Sequence, residues 1–216
     1  SLTDFTPNGD RILFGLSAVR NLGDGAIRQL IAERQSDGAF RSLADICDRI
    51  PSSVLNRRGL ESLIHSGALD ALDPEANRAQ LMADLELLLD WASSRAKDRD
   101  SGQGNLFDLM AAPAADDGPA DLSLAPKAAP VRDYPPTEKL RLEKELVGFY
   151  LSDHPLKQLT PSSRLLAPIG LGSLEEQPDK TKVSAITMIT ELRQVTTRKG
   201  DRMAILQLED LTGSCE

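Results

Sequence analysis

Between residues 16 and 72, apolar residues recur at helical spacing in short runs that turn residues interrupt. An apolar residue at every third or fourth position marks the buried face of a helix, so this region is predicted to form short helices. Ser42 followed by Asp45 is typical of a helix start, and Pro51 and Gly67 are typical of helix ends. The predicted runs are Leu16 to Arg20, Ile27 to about Gln35, Leu43 to Ile50 and Leu60 to Ile64.

The pattern changes in the remainder of the chain. Residues 75–97 carry a broad apolar face and are predicted to form the longest helix, with core packing as the expected role of that face. Residues 98–135 are rich in Pro, Ala and Asp, which predicts a mobile linker, although an apolar cluster at 106–110 interrupts it. Helical spacing returns at 137–151, and strand-like sequence begins at Lys182.

Composition argues against several classes of protein. The chain has 216 residues, and its two cysteines, Cys47 and Cys215, lie far apart. This spacing excludes a disulfide scaffold and a cysteine-based zinc site. No stretch approaches the roughly 20 apolar residues that span a bilayer, and no basic-apolar signal opens the chain. The first residue is Ser1 rather than Met, which indicates a fragment. We expect a cytoplasmic protein without membrane partners.

The net charge of −8 at pH 7 argues at first against nucleic-acid binding, which usually needs a basic face. Residues 1–72 carry 8 basic and 9 acidic side chains, residues 73–132 carry 6 and 11, and residues 133–216 carry 11 and 13. Most of the acidity therefore lies in the middle of the chain, and either end could still present a local cationic surface.

A turn of unusual composition separates the first two predicted helices. Asn21 and Gly23 tolerate a left-handed backbone, and Leu22 lies between them. A tight turn leaves the first N–H groups of the next helix without partners, and these groups can hold a DNA phosphate without reading a base. The pattern indicates a helix-hairpin-helix motif, with an ordinary helical hairpin as an equal alternative. The candidate DNA-binding residues of this motif are Asn21, Leu22, Gly23, Gly25 and Arg28.

Two further candidate DNA-binding residues, Arg57 and Arg58, stand at a later predicted helix start. A second phosphate-binding unit beside the first is the functional interpretation. A solvated helix end is the alternative, and an arginine pair usually has that role.

Separate blocks of this chain, in the same order, resemble the bacterial replicative DNA polymerase III α subunits, which are C-family DNA polymerases. The blocks are Arg11–Leu16 with Asn21–Gly23, Gly38–Leu43, Asn56–Asp70, Glu143–Leu156, Arg198–Ala204 and Leu208–Ser214. The matching region of that family contains a tandem helix-hairpin-helix and continues into an OB-fold. The resemblance implies a chain that begins after one domain and stops inside another.

The resemblance also gives the apolar cluster a role. Gln103, Leu106 and Phe107 resemble the internal peptide with which that family binds the sliding clamp. Leu106 and Phe107 would enter an apolar pocket on the clamp, and the Gln103 amide would fix their orientation. Gly104 departs from the large apolar residue that is commoner at its position, which could weaken binding.

The C-terminal part would form the first half of the OB-fold, which binds single-stranded template through a basic groove. Its candidate single-strand-binding residues are Arg193, Arg198, Lys199 and Arg202. A solvated hairpin is an equal alternative interpretation of these cations.

No residues of this sequence suggest catalysis or metal binding. Polymerase chemistry needs carboxylates that hold two metal ions on a rigid scaffold. Asp98 and Asp100 lie at a helix end, Asp116 and Asp117 lie in the Pro/Ala segment, and His65 and His154 are isolated. The resemblance implies that the catalytic palm of the family lies outside this segment, and that its Mg²⁺ would be held there. We therefore expect no catalytic residue, metal or cofactor here.

The fold class is predicted as mainly α with a small β part: a tandem helix-hairpin-helix domain, a mobile linker and a truncated OB-fold β-barrel. The predicted parts are the end of the fingers region (1–15), the helical domain (16–97), the linker (98–135) with its clamp peptide (103–107), a connecting segment (136–180) and the OB half (181–216).

The expected function follows from the resemblance. The segment would bind duplex DNA through phosphates and tether a DNA-directed DNA polymerase, a nucleotidyltransferase, to the sliding clamp. Single-stranded DNA and other replicase subunits are further expected partners. The alternatives are a free-standing helix-hairpin-helix and OB protein of DNA repair, and a hydrolase that uses the acidic linker.

Overall fold

The computed structural model describes residues 2–72, 77–101, 122–159, 167–198 and 200–216. It divides into two compact units, Ser1–Tyr150 and Leu151–Glu216. In the first unit a hairpin of β1 (Thr6–Asn8) and β2 (Arg11–Leu13) precedes the helices. The helices are α1 (Asp24–Ser36), α2 (Leu43–Arg49), α3 (Arg57–His65), α4 (Arg78–Ser101) and α5 (Pro136–Val147), with single 3-10 turns at Leu16–Ala18 and Leu122–Leu124. The predicted short helices and the long one are confirmed.

The helix ends follow local chemistry. The Ser42 hydroxyl accepts a hydrogen bond from the Asp45 N–H (3.2 Å), and the Asn56 side chain accepts one from the Gly59 N–H (3.0 Å). Each bond satisfies a backbone donor that the first helical turn leaves unpaired. At the other end of α5, Gly148 adopts a left-handed φ of +88° and ends the helix. The cap predicted at Ser42 is therefore confirmed.

The core of the first unit lies between α1, α2, α3 and α4. The apolar stripes predicted from sequence face inward, and their central members are almost completely buried. These central side chains are Ile27, Ile46, Leu60, Leu63, Ile64 and Leu85. Removing a side chain of this kind typically costs about 2–5 kcal/mol of stability, so this cluster fixes how the short helices pack.

A buried ion-pair network attaches α5 to the other helices. The Arg78 guanidinium is 5% exposed and donates hydrogen bonds to Asp70 (2.6 Å) and to Glu143 of α5 (2.8 Å). It also donates to the carbonyl oxygen of His65 at 3.2 Å. Burial would lower the pKa of Arg78, but the two carboxylates more than offset this effect and raise it. Arg78 therefore remains charged, and α5 belongs to the first unit.

The chain before α5 packs beside α4. The Ala128 N–H donates to Asp84 Oδ1 at 2.7 Å, and the Val131 N–H donates to Gln80 Oε1 at 2.8 Å. Asn77 Nδ2 donates in turn to the Val131 carbonyl oxygen at 3.0 Å. These side chains satisfy backbone groups of a segment that belongs to no helix or strand.

The second unit is a small antiparallel sheet in the order β3–β4–β5, with strands Met188–Thr196, Arg202–Glu209 and Ser214–Cys215. Short 3-10 helices cover Lys157–Leu159 and Leu171–Glu176. Asp210 joins the second of these turns to the sheet, because its carboxylate accepts hydrogen bonds from the N–H groups of Leu171, Thr212 and Gly213. Burial would raise the pKa of Asp210, but these bonds outweigh it and lower the pKa.

The predicted fold class, mainly α with a small β part, is confirmed. The first strand of the second unit begins at Met188, later than the sequence from Lys182 suggests. Among the described residues, no helix is both long enough and apolar enough to cross a membrane.

Candidate nucleic-acid interface

In the turn between the 3-10 helix and α1, one of the two residues that tolerate a left-handed backbone, Asn21, adopts it, whereas Gly23 is extended (φ −77°, ψ 153°). Asn21 adopts φ +65°, the left-handed region that Asn tolerates better than other residues with a side chain. Leu22 is buried, and Gly23 is the N-cap of α1. The Gly23 carbonyl oxygen accepts the first helical hydrogen bond, from the Ile27 N–H at 3.1 Å.

The N-terminus of α1 has no side-chain cap, unlike the N-termini of α2 and α3. Gly23 provides no side-chain acceptor, and a Cβ placed on Gly23 or Gly25 would meet no atom within 4 Å. Backbone N–H groups of the first turn can therefore approach a phosphate closely. The Asp24 carboxylate lies in the same turn and opposes an anion. Binding here would therefore need arginines as well as backbone amides.

The structure brings the second predicted binding element next to the first. Gly59, in the first turn of α3, lies against the Asn21–Gly23 turn: a Cβ on Gly59 would stand 3.5 Å from Leu22 Cδ1 and 3.7 Å from the Asn21 carbonyl oxygen. Asn21 Nδ2 also donates a hydrogen bond to Ser62 Oγ of α3 at 3.2 Å. Residues 41 positions apart in sequence thus place the start of α3 beside the open end of α1.

The arginines of this region differ in their surroundings. Arg57 donates a hydrogen bond from Nε to Glu61 at 2.8 Å, which raises the pKa of Arg57, and its Nη1 lies 3.8 Å from Glu86. Arg28 and Arg58 are exposed, and within the described residues neither has a carboxylate within 4.0 Å. Arg28 and Arg58 therefore offer charge that phosphate can use, whereas the charge of Arg57 is largely offset.

The other predicted binding residues are not gathered into one site. Gln103, Leu106 and Phe107 lie outside the described residues, as does Lys199. Arg193 pairs in register with Ile205, and Arg202 pairs with Thr196. Because side chains alternate between the faces of a strand, Arg193 and Arg202 lie on opposite faces of the β3–β4 hairpin. Arg193 is also ion-paired with Glu216 at 3.2 Å, and Arg198 is exposed just after β3.

Side chains with catalytic or metal-binding chemistry are dispersed. The described residues contain no group of three or more His, Cys, Asp or Glu side chains that could hold a metal ion. Burial, with a contribution from Asp48, raises the pKa of the Cys47 thiol to about 12. Burial lowers the pKa of His65, whose ring packs edge-on against Tyr134. Asp98 is exposed near the end of α4, and Asp116 and Asp117 lie outside the described residues.

Ser62 is the residue of this interface that sequence analysis missed. A serine inside an apolar helical run carries no signal of its own in a single sequence. The sequence singles out its partner, Asn21, only because Asn tolerates a left-handed backbone. The hydrogen bond between Asn21 and Ser62 depends on how the turn packs against α3, which the sequence does not show.

Comparison with known families supports the motif. Residues 1–81 match the family model described as a helix-hairpin-helix motif. This match covers the turn, α1, α2 and α3, together with the arginines of the interface. The helix-hairpin-helix prediction is therefore confirmed in preference to an ordinary helical hairpin.

Similarity to curated proteins extends over nearly the whole chain. The DNA polymerase III subunit alpha of Thermus aquaticus is 40% identical over 99% of this chain. The proteins of that name from Neisseria meningitidis serogroup B and Escherichia coli K12 are 37% and 33% identical, over 98% and 100% of this chain. The chain spans only 16%, 17% and 18% of the length of these three relatives.

Proposed function

Because the chain is homologous over nearly its whole length to one segment of the DNA polymerase III α subunits, we propose that it holds duplex DNA and tethers a polymerase to its sliding clamp. The observation that carries this proposal is the match of residues 1–81 to a helix-hairpin-helix motif, inside a chain related throughout to replicative polymerases. The relatives that we compare share one name, which favours a polymerase segment over a free-standing repair protein.

Duplex DNA would be held through its backbone. The amides at the start of α1 would bind one phosphate, and Arg28 and Arg58 would supply the positive charge that Asp24 makes necessary. All of these proposed contacts are to phosphate rather than to a base. Binding would therefore be independent of sequence and would weaken steeply as salt rises.

Clamp tethering would depend on Gln103, Leu106 and Phe107. A short peptide that binds the clamp keeps the polymerase near its template by raising its local concentration, without any change in the chemistry. The sequence of this peptide supports the proposal.

The remaining parts of the function follow from the family. The whole polypeptide would be a DNA-directed DNA polymerase that uses Mg²⁺, and this segment would contribute binding rather than catalysis.

The β3–β4–β5 sheet would be the first half of an OB-fold that contacts single-stranded DNA, with Arg193, Arg198, Lys199 and Arg202 among its basic residues. Other replicase subunits are proposed partners. The predicted domain boundaries, with the helical domain over 16–97 and the OB half over 181–216, belong to the same proposal.

Two neighbouring arginines test the DNA-binding proposal. We expect Arg58→Ala to weaken binding of a fluorescent duplex and to lower the slope of log affinity against log salt by about 0.9, because one phosphate contact is lost. Arg57→Ala is the matched control and should change the slope much less, since Glu61 and Glu86 already offset its charge. The proposal fails if the chain does not bind duplex DNA, or if the loss from Arg58→Ala depends on base sequence.

A separate titration tests the clamp proposal. The double variant Leu106→Ala with Phe107→Ala should abolish binding to a sliding clamp and leave duplex affinity unchanged, because the two apolar side chains are the proposed anchors. An unchanged clamp affinity would show that this peptide is not the tether.

A further inference from the structure

A hydrogen bond crosses between the two binding elements of the interface. Asn21 stands in the turn before α1, and its Nδ2 donates to Ser62 Oγ on α3 at 3.2 Å. Ser62 is only 3% exposed whereas Asn21 is exposed, so the bond is partly buried. The bond therefore links the backbone geometry of the turn directly to the position of α3.

Apolar packing at the same place leaves little free space. Leu22 is 8% exposed and Leu55 is 2% exposed, and both approach Gly59 at the start of α3. A Cβ on Gly59 would lie 2.9 Å from Leu55 Cδ1, just before α3, and 3.5 Å from Leu22 Cδ1 in the turn. The turn and α3 are thus in van der Waals contact, and the Asn21–Ser62 bond joins them beside this contact.

We propose that Asn21 and Ser62 are positioning residues that join the open end of α1 and the start of α3 into one phosphate-binding surface. The inference rests on the proposed DNA-binding function. Neither side chain needs to touch DNA. Their bond holds Asn21 in its left-handed conformation, which a residue with a Cβ otherwise disfavours, and so fixes where the amides of Asp24 and Gly25 point.

Alignment of the two elements matters because successive phosphates of a duplex have a fixed spacing. If the amides of α1 and the Arg58 side chain are aligned with that spacing, both act on the same molecule at once, as in any multivalent contact. If the turn shifts, each contact can still form separately, but their joint contribution falls. The number of phosphate contacts then stays the same while the affinity drops.

A pair of serines provides the test. Ser62→Ala removes the link, and Ser66→Ala is the matched control, because Ser66 is also buried and its hydroxyl donates within the same helix, to Leu63 O at 3.1 Å. We expect Ser62→Ala to raise the Kd for a duplex about threefold to tenfold, the usual effect of losing one hydrogen bond, with an unchanged salt slope. Ser66→Ala should leave the Kd unchanged.

A double-mutant cycle separates positioning from a general loss of stability. Asn21→Gly keeps the left-handed backbone but removes the donor, so it should weaken binding as Ser62→Ala does. The double variant Asn21→Gly with Ser62→Ala should bind no more weakly than the weaker single variant, because both changes break the same bond. Full additivity would overturn the inference, and so would equal losses from Ser62→Ala and Ser66→Ala.

A measurement without DNA distinguishes this inference from the proposed function. In NMR spectra of the 216-residue chain, Ser62→Ala should shift the backbone amide signals of Asp24 and Gly25, and Ser66→Ala should not. Unshifted signals would overturn the positioning role even if the chain binds DNA. If the wild-type chain fails to bind a duplex, the proposed function is wrong, while shifted signals would still establish the link between the turn and α3.

Discussion

Gly67 shows how a single residue can depend on a distant one. It follows the C-terminal end of α3 with φ +78°, and a Cβ in its place would overlap the guanidinium of Arg78. That guanidinium has little freedom to move, since it is bonded to Asp70, Glu143 and the His65 carbonyl oxygen. A glycine at position 67 therefore both adopts the left-handed turn and leaves room for the buried Arg78 guanidinium.

Gly67→Ala should therefore lower the free energy of unfolding by more than backbone strain alone would. Gly38 is the matched control, because its φ is +80° and a Cβ there would meet no atom within 4 Å. We expect Gly38→Ala to cost about 1–2 kcal/mol of unfolding free energy. Gly67→Ala should cost at least about 3 kcal/mol, because it disturbs a buried ion pair. Urea unfolding measures the free energy of unfolding of both variants. Equal losses would show that the Arg78 side chain can move aside at no cost in stability.

For individual residues, the sequence predicted backbone conformations better than side-chain contacts. The left-handed tolerance of Asn21, the cap at Ser42 and the helix end near Gly67 follow from local chemistry, and the structure confirms them. The contacts of Asn21 with Ser62 and of Gly67 with Arg78 do not follow from local chemistry. They depend on how α3 packs against elements that lie elsewhere in the chain.

Among the elements, α5 depends most clearly on one buried charge. Glu143 is 1% exposed and bonded to Arg78, whereas Glu145 on the same helix is exposed and paired with Arg141 at 3.0 Å. Removing one member of a buried pair leaves the other charge without its partner, and an exposed pair contributes little. The two glutamates therefore allow a comparison within one helix.

We expect Glu143→Ala to reduce stability by roughly 3–5 kcal/mol and to release α5 from the first unit. Glu145→Ala should change stability by less than about 1 kcal/mol. Hydrogen exchange resolved along the chain measures the effect, because the amides of α5 should lose protection before those of α1. If the amides of α5 keep their protection in Glu143→Ala, apolar packing of Leu140 and Val147 holds the helix instead.

The ends of helices and strands could not always be located from sequence patterns alone. Helical spacing located the start of α5 well, but it placed the end at 151, whereas the left-handed Gly148 ends the helix after Val147. The start of β3 was placed too early, since Val183 and Ile186 continue the strand-like sequence without a pairing partner. On the β3 side, residues 202–209 of β4 pair with residues 188–196, and a strand extends only as far as its partner does.

For the whole molecule, the distribution of charge along the chain was more informative than the net charge. A net charge of −8 gave little reason to expect DNA binding, but the proposed interface depends on only a few arginines. Which arginines are available could not be read from sequence, because Arg57 is paired with Glu86 of α4, a residue 29 positions away. The similarity to the DNA polymerase III α subunits could be recognised from ordered sequence blocks, whereas the geometry of the proposed interface needed the structure.

The contacts along α4 imply that the first unit can assemble without an unbroken backbone. The chain on either side of residues 102–121 is attached to the same helical unit, through the bonds of Asp84 and Gln80 to residues 128–131 and through the Arg78–Glu143 pair. These bonds do not require an unbroken backbone between the two sides. Two separate polypeptides, residues 1–101 and 122–216, should therefore assemble when they are co-expressed.

Affinity purification through a tag on the first polypeptide should recover the second in equal amount, and Glu143→Ala should reduce that yield. Recovery of the first polypeptide alone would show that the intervening residues are needed for assembly. If the pair assembles, the first unit can form from two polypeptides, and foreign sequence could be inserted between them while the proposed DNA-binding surface is preserved.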